Sequence, residues 1–384
     1  MPCSVCDNPS VALIYESAST ASITSMGEML EAKTRVWLCD TCGHVMSDPL
    51  PDTQQFYADN YRISVGSDDE DQVYEVRGGQ VTYRNEHQST VFNQKVRLEP
   101  GSRVLDFGCA KATMMRRLRK DRPDVEIYLF DVSQNYESFW DSIAEKSNRA
   151  VHTIPEEWFG TFQLVTSYFS LEHITDPVRA LESIHRLLGP TGELYAVVPY
   201  ALTNIGDLIV VDHVNHFTVS SMRHALRRAG FSNIAIDVEA HRGALVVKAG
   251  KTGQSEPSDV KVRETVLAKK LGEYWQSAGD RLREAEGRAG TPAAVYGAGF
   301  YGMYVFSALS RPDDIQCFVD RSPYLQGKQV CGKAIKAPAA LSKQVKTLYL
   351  AVNPSVANAV ASALREEGIT DPDLVFLQAF NPDV

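Results

Sequence analysis

The pattern of apolar and polar residues between residues 101 and 133 predicts a strand, a helix and a second strand. A short apolar strand with Val104 and Leu105 ends in Asp106, and a helix follows with apolar positions at 114, 115 and 118. A second apolar strand, 127–130, ends in Asp131. This order predicts a mononucleotide-binding βαβ unit, in which the turn approaches a ligand and the second acid binds a ribose diol.

The same alternation continues further along the chain. A strand over 162–167 is followed by Leu171-Glu172-His173, an apolar-faced helix over 180–188, a turn at 189–192 and a strand over 193–199. Alternating strands and helices predict an α/β fold with a Rossmann-like parallel sheet covered on both faces. Ligands bind at the carboxyl ends of such strands, where Asp106, Asp131 and Glu172 fall. His173 is either part of this site or a residue that begins the next helix.

The first turn reads D-F-G-C-A-K-A and has one glycine, Gly108, where a dinucleotide turn has three. Asp106 at its head would repel a pyrophosphate and attract an ammonium group. The turn resembles the first motif of class I S-adenosylmethionine (SAM)-dependent methyltransferases, (D/E)-x-G-x-G-x-G, with Ala110 and Ala112 in place of two glycines. An ordinary turn without a ligand is the alternative. The resemblance implies SAM bound by Asp106, Gly108, Ala110, Asp131, Glu172 and His173.

Two C-x-x-C pairs lie near the start of the chain, Cys3/Cys6 and Cys39/Cys42. Four thiolates in two such pairs are typical of a tetrahedral, structural zinc site. Two disulfides in a secreted protein are the alternative. Seven cysteines in total leave an odd one unpaired, and the first residues do not have a signal-peptide pattern, so we favour zinc.

Composition narrows the class of protein. The chain has 384 residues and a net charge of −9, which argues against a nucleic-acid partner. The uncharged stretch 293–310 contains glycines and follows a proline, so it predicts a strand, a turn and a helix and not a membrane span. We therefore expect a cytoplasmic enzyme with a small-molecule substrate and no membrane partner; the oligomeric state stays open.

The predicted domains follow from these segments. The C-terminal part contains a G-x-G-x-x-G turn at 297–302 and a strand that ends in Asp320, which is a dinucleotide fingerprint. The pattern predicts a small α/β fold for this part of the chain whether or not the turn binds a nucleotide. The boundaries are a zinc-binding module over 1–55, a polar, helical connector over 56–90, a methyltransferase core over 91–250, a linker and helix over 251–290, and a Rossmann-like domain over 291–384.

This order of domains resembles the sugar C-methyltransferases that act on nucleotide-linked deoxysugars. Their E-H-L-S-Y-F-S segment is similar to D-H-V-N-H-F-T at 212–218. The resemblance implies His213 as the general base with Asp212 as its acidic neighbour; His216, three residues on, is a second candidate. The family's upstream tyrosine corresponds to Tyr57 or Tyr61. The chain departs from the family in having Asp212 for Glu and Val210 for Tyr.

The expected reaction is C-methylation of a nucleotide-linked keto-deoxysugar. A carbon acceptor needs a base that removes a proton next to a ketone, and imidazole, with a reference pKa of about 6.5, is suited to this. Two alternatives stay open. One is O- or N-methylation of a sugar or secondary metabolite, and the other is a non-catalytic nucleotide-binding protein.

Overall fold

The computed structural model describes residues 1–50, 71–77, 79–253 and 261–381. The chain divides into two compact units, and each is assembled from separated segments. The first unit comprises Met1–Ala12, Trp37–Asn204 and His213–Thr265, and the second comprises Leu13–Val36, Ile205–Asp212 and Val266–Val384.

The elements are numbered in chain order. The strands are β1 Ala12–Glu16, β2 Ala21–Ile23, β3 Met29–Glu31, β4 Arg35–Leu38, β5 Val45–Ser47, β6 Val73–Arg77, β7 Gln80–Tyr83, β8 Arg103–Phe107, β9 Glu126–Asp131, β10 Arg149–Val151, β11 Phe162–Tyr168, β12 Leu188–Pro199, β13 Asn215–His216, β14 Asn233–Asp237, β15 Ala244–Gly250, β16 Ala293–Tyr296, β17 Ile315–Val319, β18 Gln329–Val330, β19 Lys333–Lys336, β20 Thr347–Leu350 and β21 Asp373–Phe376. The helices are α1 Arg84–Lys95, α2 Thr113–Asp121, α3 Pro177–Leu187, α4 Val219–Arg228, α5 Lys261–Arg288, α6 Phe300–Ala308 and α7 Pro354–Glu366.

A seven-stranded sheet in the order β10-β9-β8-β11-β12-β15-β14 forms the core of the first unit. The first five strands in this order pair in parallel, and β15 pairs antiparallel with both β12 and β14. Strands β8, β9 and β11 are buried almost throughout, as expected for a sheet covered on both faces. The predicted Rossmann-like α/β fold is confirmed.

Strand β12 begins five residues earlier than the sequence predicts. Leu188 already pairs with Phe162, and the pairing resumes at Leu164 with Glu193. The residues between them, 189–192, form a bulge within the strand and not the predicted turn between the helix and the strand. A Cβ atom at Gly192 would lie 2.5 Å from the carbonyl oxygen of Phe162, so a side chain does not fit there.

Capping residues fix where two of the helices beside this sheet begin. Asp176 caps α3 by accepting a hydrogen bond from the backbone of Arg179, and Pro177 occupies the first turn. Thr218 and Ser221 form a capping box at the start of α4. These buried positions of α3 lie three residues apart, so the helix packs one face inward: Val178, Leu181, Ile184 and Leu187.

The second unit has its own sheet, in the order β18-β19-β17-β16-β20-β21. Helix α5 buries Leu271, Trp275 and Leu282, as its apolar spacing predicts, whereas Val266 is 49% exposed. The indole of Trp275 donates to the carbonyl of Ile205 at 2.7 Å, which fixes the helix in this unit. Among the helices of the described ranges, none is long and apolar enough to cross a membrane.

Candidate functional site

The turn between β8 and α2 brings the backbone close to a neighbouring loop. Gly108 has φ +71°, and a Cβ atom there would lie 2.0 Å from Oγ of Ser170. Its N–H donates to the carbonyl of Phe130 at 2.9 Å. Ala110 and Ala112 also have positive φ values, 44° and 54°. The turn therefore keeps a conformation that favours glycine at the two positions where the resemblance expects it.

Asp131 at the end of β9 closes this turn. One carboxylate oxygen accepts the N–H of Ala110 at 2.8 Å, and the other accepts the N–H of Ser133 at 2.9 Å. Burial raises the pKa of Asp131, and the backbone donors oppose this shift. Each oxygen keeps a second lone pair, so the carboxylate has the capacity to accept from the two hydroxyls of a ribose.

Asp106 at the end of β8 is almost completely buried. Burial raises its pKa to about 7, and the hydrogen bond that Thr166 donates at 2.7 Å opposes the shift. The negative charge of Asp131 raises the pKa further. A buried carboxylate of this kind is stabilised in its ionised form by a cationic ligand, and the ammonium group of an amino acid fits that requirement.

A second group of polar side chains lies just after β11. Glu172 and His173 belong to a single 3-10 turn, Leu171–His173, and their ligating atoms lie within 4.8 Å of each other and of those of His213. The imidazole rings of His173 and His213 are 4.7 Å apart at 81°. The backbone N–H of Val214 donates to the carbonyl of Glu172 at 2.9 Å and holds the two segments together. Two imidazoles and a carboxylate can exchange protons with an acceptor, and the same donor set is suited to a divalent cation.

The other residues predicted to be catalytic lie in different surroundings. His216 is fully buried in β13, and its Nε2 is 2.8 Å from Oγ of Ser47. Both carboxylate oxygens of Asp212 accept hydrogen bonds from Ser25, from its N–H at 2.7 Å and its hydroxyl at 2.6 Å. Only His213 of these three residues is partly exposed. Tyr57 and Tyr61 lie outside the described residues.

The four N-terminal cysteines form a compact cluster. Their sulfur atoms all lie within 4.8 Å of one another; Cys3 and Cys42 are 3.6 Å apart, and Cys6 and Cys39 are 3.5 Å apart. These distances exclude disulfide bonds and approach the ~3.8 Å expected between sulfur atoms on a tetrahedral zinc ion. The residue that directly follows each pair has a positive φ, 59° at Asp7 and 74° at Gly43, so the two turns are alike. The cluster is therefore able to bind a zinc ion.

Comparison with known families assigns the central part of the chain. A sequence model described as "Methyltransferase domain" matches residues 83–236. This segment contains the five parallel strands β8 to β12. Asp106 lies near the end of β8, and Asp131 is the last residue of β9. Residues 83–236 are a methyltransferase domain. The match begins with the last residue of β7 and ends within β14.

Curated relatives also match part of the chain. Arginine-hydroxylase NDUFAF5, mitochondrial, of Rattus norvegicus is 29% identical over 154 residues, and the human protein is 28% identical. The alignments span 35% of this chain and 44% of the relatives, so the chain covers less than half the length of these proteins.

Solved structures similar to part of this chain include two whose descriptions name a methyltransferase. One belongs to a Haloferax volcanii complex with the Trm112 methyltransferase activator: it is 19% identical, has a TM-score of 0.38 and covers 44% of this chain and 91% of its own. An S-adenosylmethionine-dependent methyltransferase from Mesorhizobium loti is 14% identical, has a TM-score of 0.36 and covers 43% of this chain and 97% of its own.

Sequence reasoning missed several residues around the methyltransferase domain. Ser170 was not predicted to approach the glycine turn, and Thr166 was not predicted to bind Asp106. The sequence assigns Asn215 no role beyond its place in the 212–218 segment, yet its side chain is buried and makes four hydrogen bonds. Its position between His213 and His216 is the sequence signal that points to it, and its burial explains why the amide has four partners.

Proposed function

We propose that this protein transfers the methyl group of SAM to a carbon beside the ketone of a nucleotide-linked deoxysugar. The observation that supports the transfer reaction is the turn after β8. Gly108 lets Ser170 approach the backbone, Asp131 accepts the N–H of Ala110 in the turn, and Asp106 is a buried acid at its head. The match to the methyltransferase domain supports this assignment. The domain order and the 212–218 segment support the choice of acceptor.

Each residue of the proposed site has a role that follows from its chemistry. SAM, when bound, supplies an electrophilic methyl group. In our proposal Asp131 holds the ribose, and Asp106 holds the ammonium group. Gly108 and Ala110 line the nucleoside, and Glu172 and His173 complete this side of the site. Methyl transfer is an in-line displacement, so holding donor and acceptor in line supplies much of the rate.

We propose His213 as the base that removes the proton from the acceptor carbon. It is partly exposed, and its ring lies against that of His173. His216 is buried against Ser47, which favours a structural role. Asp212 orders the segment that contains Ser25 in this proposal, because both of its oxygens bind that residue. Tyr57 or Tyr61 remains the proposed partner for the acceptor oxygen.

We also propose that Cys3, Cys6, Cys39 and Cys42 bind one structural zinc ion. The donor set is complete, since four thiolates saturate tetrahedral zinc and leave no position for a substrate. Hydrogen bonding from the Cys42 thiol lowers the pKa of Cys3 to about 5, whereas burial raises the pKa of Cys6 to about 11 and the hydrogen bond with Cys3 raises that of Cys42. A bound zinc ion would favour the thiolate at all four positions.

Product NMR tests the proposed reaction. The protein is incubated with methyl-¹³C SAM and a panel of nucleotide-linked keto- and hydroxy-sugars. A labelled methyl group on carbon supports C-methylation. A labelled methyl group on oxygen or nitrogen excludes the enolate step and favours the O- or N-methylation alternative. SAM binding without transfer to any acceptor favours the non-catalytic alternative.

Hydrogen exchange tests the base separately from methyl transfer. With S-adenosylhomocysteine and the keto-sugar in D₂O, the proton next to the ketone exchanges if the enzyme forms the enolate. We expect His213→Gln to slow this exchange by about 100-fold or more, because general-base catalysis contributes 10²–10⁴-fold. The control is His185→Gln, a histidine that packs on Phe231. Near-normal exchange in His213→Gln would exclude His213 as the base.

Hydroxylation is a second candidate, favoured by the name of the curated relatives, which are arginine hydroxylases. Mass spectrometry distinguishes the two reactions, because methylation adds 14 Da and hydroxylation adds about 16 Da to an acceptor. An arginine-containing peptide that gains about 16 Da without SAM consumption would replace methyl transfer as the proposed activity.

A further inference from the structure

The side chain of Asn215 connects the cysteine cluster with the polar group after β11. Asn215 is buried, and its amide makes four hydrogen bonds. Its oxygen accepts from the hydroxyl of Ser4 at 3.1 Å and from Nε2 of His44 at 3.1 Å. Its nitrogen donates to the carbonyl of Leu171 at 3.2 Å and to that of Ile174 at 2.6 Å. One side chain thus contacts two segments far apart in the sequence.

The two residues on the oxygen side are fixed by the cysteine turns. Ser4 lies between Cys3 and Cys6. His44 follows the second pair, and its carbonyl accepts the N–H of Cys39 at 2.8 Å. A metal ion that orders the four thiolates therefore also orders both hydrogen-bond donors to the Asn215 oxygen.

The two carbonyls on the nitrogen side bracket Glu172 and His173. Leu171 directly precedes this pair and Ile174 directly follows it. The carbonyl of Glu172 accepts the N–H of Val214, which lies between His213 and Asn215 in the chain. All three members of the polar group are therefore attached to the backbone that Asn215 holds.

We propose that Asn215 is a positioning residue that transmits metal binding at the cysteine cluster to Glu172, His173 and His213. The amide is suited to this because it accepts on one side and donates twice on the other. Aspartate keeps the acceptor but loses both donors. The inference goes beyond the proposed reaction, since it concerns how the site is held and needs no acceptor to be known.

The NMR signals of the two imidazoles test this proposal. Histidine is labelled with ¹³C and ¹⁵N in the full chain, and His173→Gln and His213→Gln assign the two rings. Removing zinc with a chelator from the wild-type protein should shift both signals. Asn215→Asp should retain about one zinc ion per chain. Its two signals should already be shifted, and chelation should move them little further.

A matched control and a milder variant make the test decisive. Asn93→Asp changes charge in the same way at an exposed position of α1 and should behave as wild type. If Asn215→Asp fails to fold, Ser4→Ala removes one of the two donors to the Asn215 oxygen, together with the contact of the Ser4 hydroxyl with Sδ of Met46, and should shift both signals by a smaller amount. Wild-type signals in Asn215→Asp or in Ser4→Ala would overturn the proposal. So would a chelation shift in Asn215→Asp as large as in wild type.

The methyl-transfer rate gives a second readout once an acceptor is identified. A misplacement of about 1 Å in a catalytic group can cost about 100-fold in rate. We expect Asn215→Asp to lower kcat by at least tenfold and to raise the KM for SAM by a smaller factor, because Asp106 and Asp131 are held by Thr166, Ala110 and Ser133 and not by Asn215. A fall in SAM affinity equal to the fall in kcat would mean that Asn215 stabilises the whole unit and does not position the group after β11.

Discussion

Replacing Asp131 with Asn tests the nucleoside site directly. The carboxylate accepts two backbone N–H groups, from Ala110 and Ser133. An Asn side chain keeps one oxygen and turns an NH₂ group toward the other donor. The variant should therefore lose one hydrogen bond inside the turn and one to the ribose of SAM.

The magnitude follows from the charge on the acceptor. Hydrogen bonds to charged groups contribute about 1.5–3 kcal/mol each. Losing the ribose bond and neutralising the one that remains should cost about 2–3 kcal/mol of SAM binding, which is about 30- to 150-fold in Kd. The free energy of unfolding should fall by about 1–3 kcal/mol, because one backbone donor is left buried without an acceptor.

The second unit offers a matched control at Asp320. Its carboxylate accepts the N–H of Ala298 at 2.9 Å and that of Ser322, two residues on, at 2.8 Å. This geometry repeats that of Asp131, so Asp320→Asn should have a similar effect on stability. SAM affinity should stay within about twofold of wild type, since Asp320 is not part of the proposed SAM site.

Isothermal titration calorimetry with SAM and thermal unfolding measure the two effects. An S-adenosylhomocysteine analogue without its ribose 2′-hydroxyl sharpens the test: it should bind more weakly than the parent to wild type and about equally well to Asp131→Asn. The reasoning is refuted if Asp131→Asn binds SAM within about threefold of wild type, or if Asp320→Asn weakens binding as much.

Three further predictions follow from the same sites. Because burial raises the pKa of Asp106 to about 7 and an ammonium ligand requires the ionised form, the Kd for SAM should rise about tenfold per pH unit below pH 7; calorimetry checks this, and Asp106→Asn should remove the slope. The proton on Asp106 has the opposite effect on folding: it stabilises the folded protein below the unfolded pKa of about 4, and this contribution is lost as the pH rises through 7. Gly108→Ala should destabilise by at least about 2 kcal/mol in urea unfolding, from the positive φ and the approach of Ser170, and a wild-type midpoint would contradict this. Cys39→Ser should lower the zinc content well below one ion per chain by elemental analysis, whereas Cys331→Ser should retain it; equal zinc in both would exclude the cysteine site.

The sequence alone predicts the parts of the site that lie within one βαβ unit. Asp106 and Asp131 end apolar strands, and a parallel sheet brings such ends together whatever the rest of the chain does. The two C-x-x-C pairs are similarly local, because each turn fixes its own sulfur atoms. These interpretations depend on short-range periodicity and spacing, which a single sequence contains.

The roles within residues 212–218 could not be read from the sequence, because they depend on long-range pairing. His213 and His216 have the same side chain and lie three residues apart. The antiparallel pairing of β13 with β5 places His216 opposite Val45 and turns its ring toward Ser47. A shift of one residue would exchange which side chains face the core, and nothing in the local pattern fixes that register.

The turn after β8 shows that a departure from a motif need not be a departure from its conformation. Ala110 and Ala112 replace glycines of the family motif, yet both keep positive φ. For an L-residue that conformation costs roughly 1–2 kcal/mol, so the surrounding contacts must impose it. Asp131 accepts the N–H of Ala110, and the indole of Trp140 donates to its carbonyl at 2.7 Å. The contacts at Ala110 thus stabilise the positive φ that glycine adopts without strain in other members of the family. A motif search that counts glycines alone would miss the similarity of this turn to the family motif.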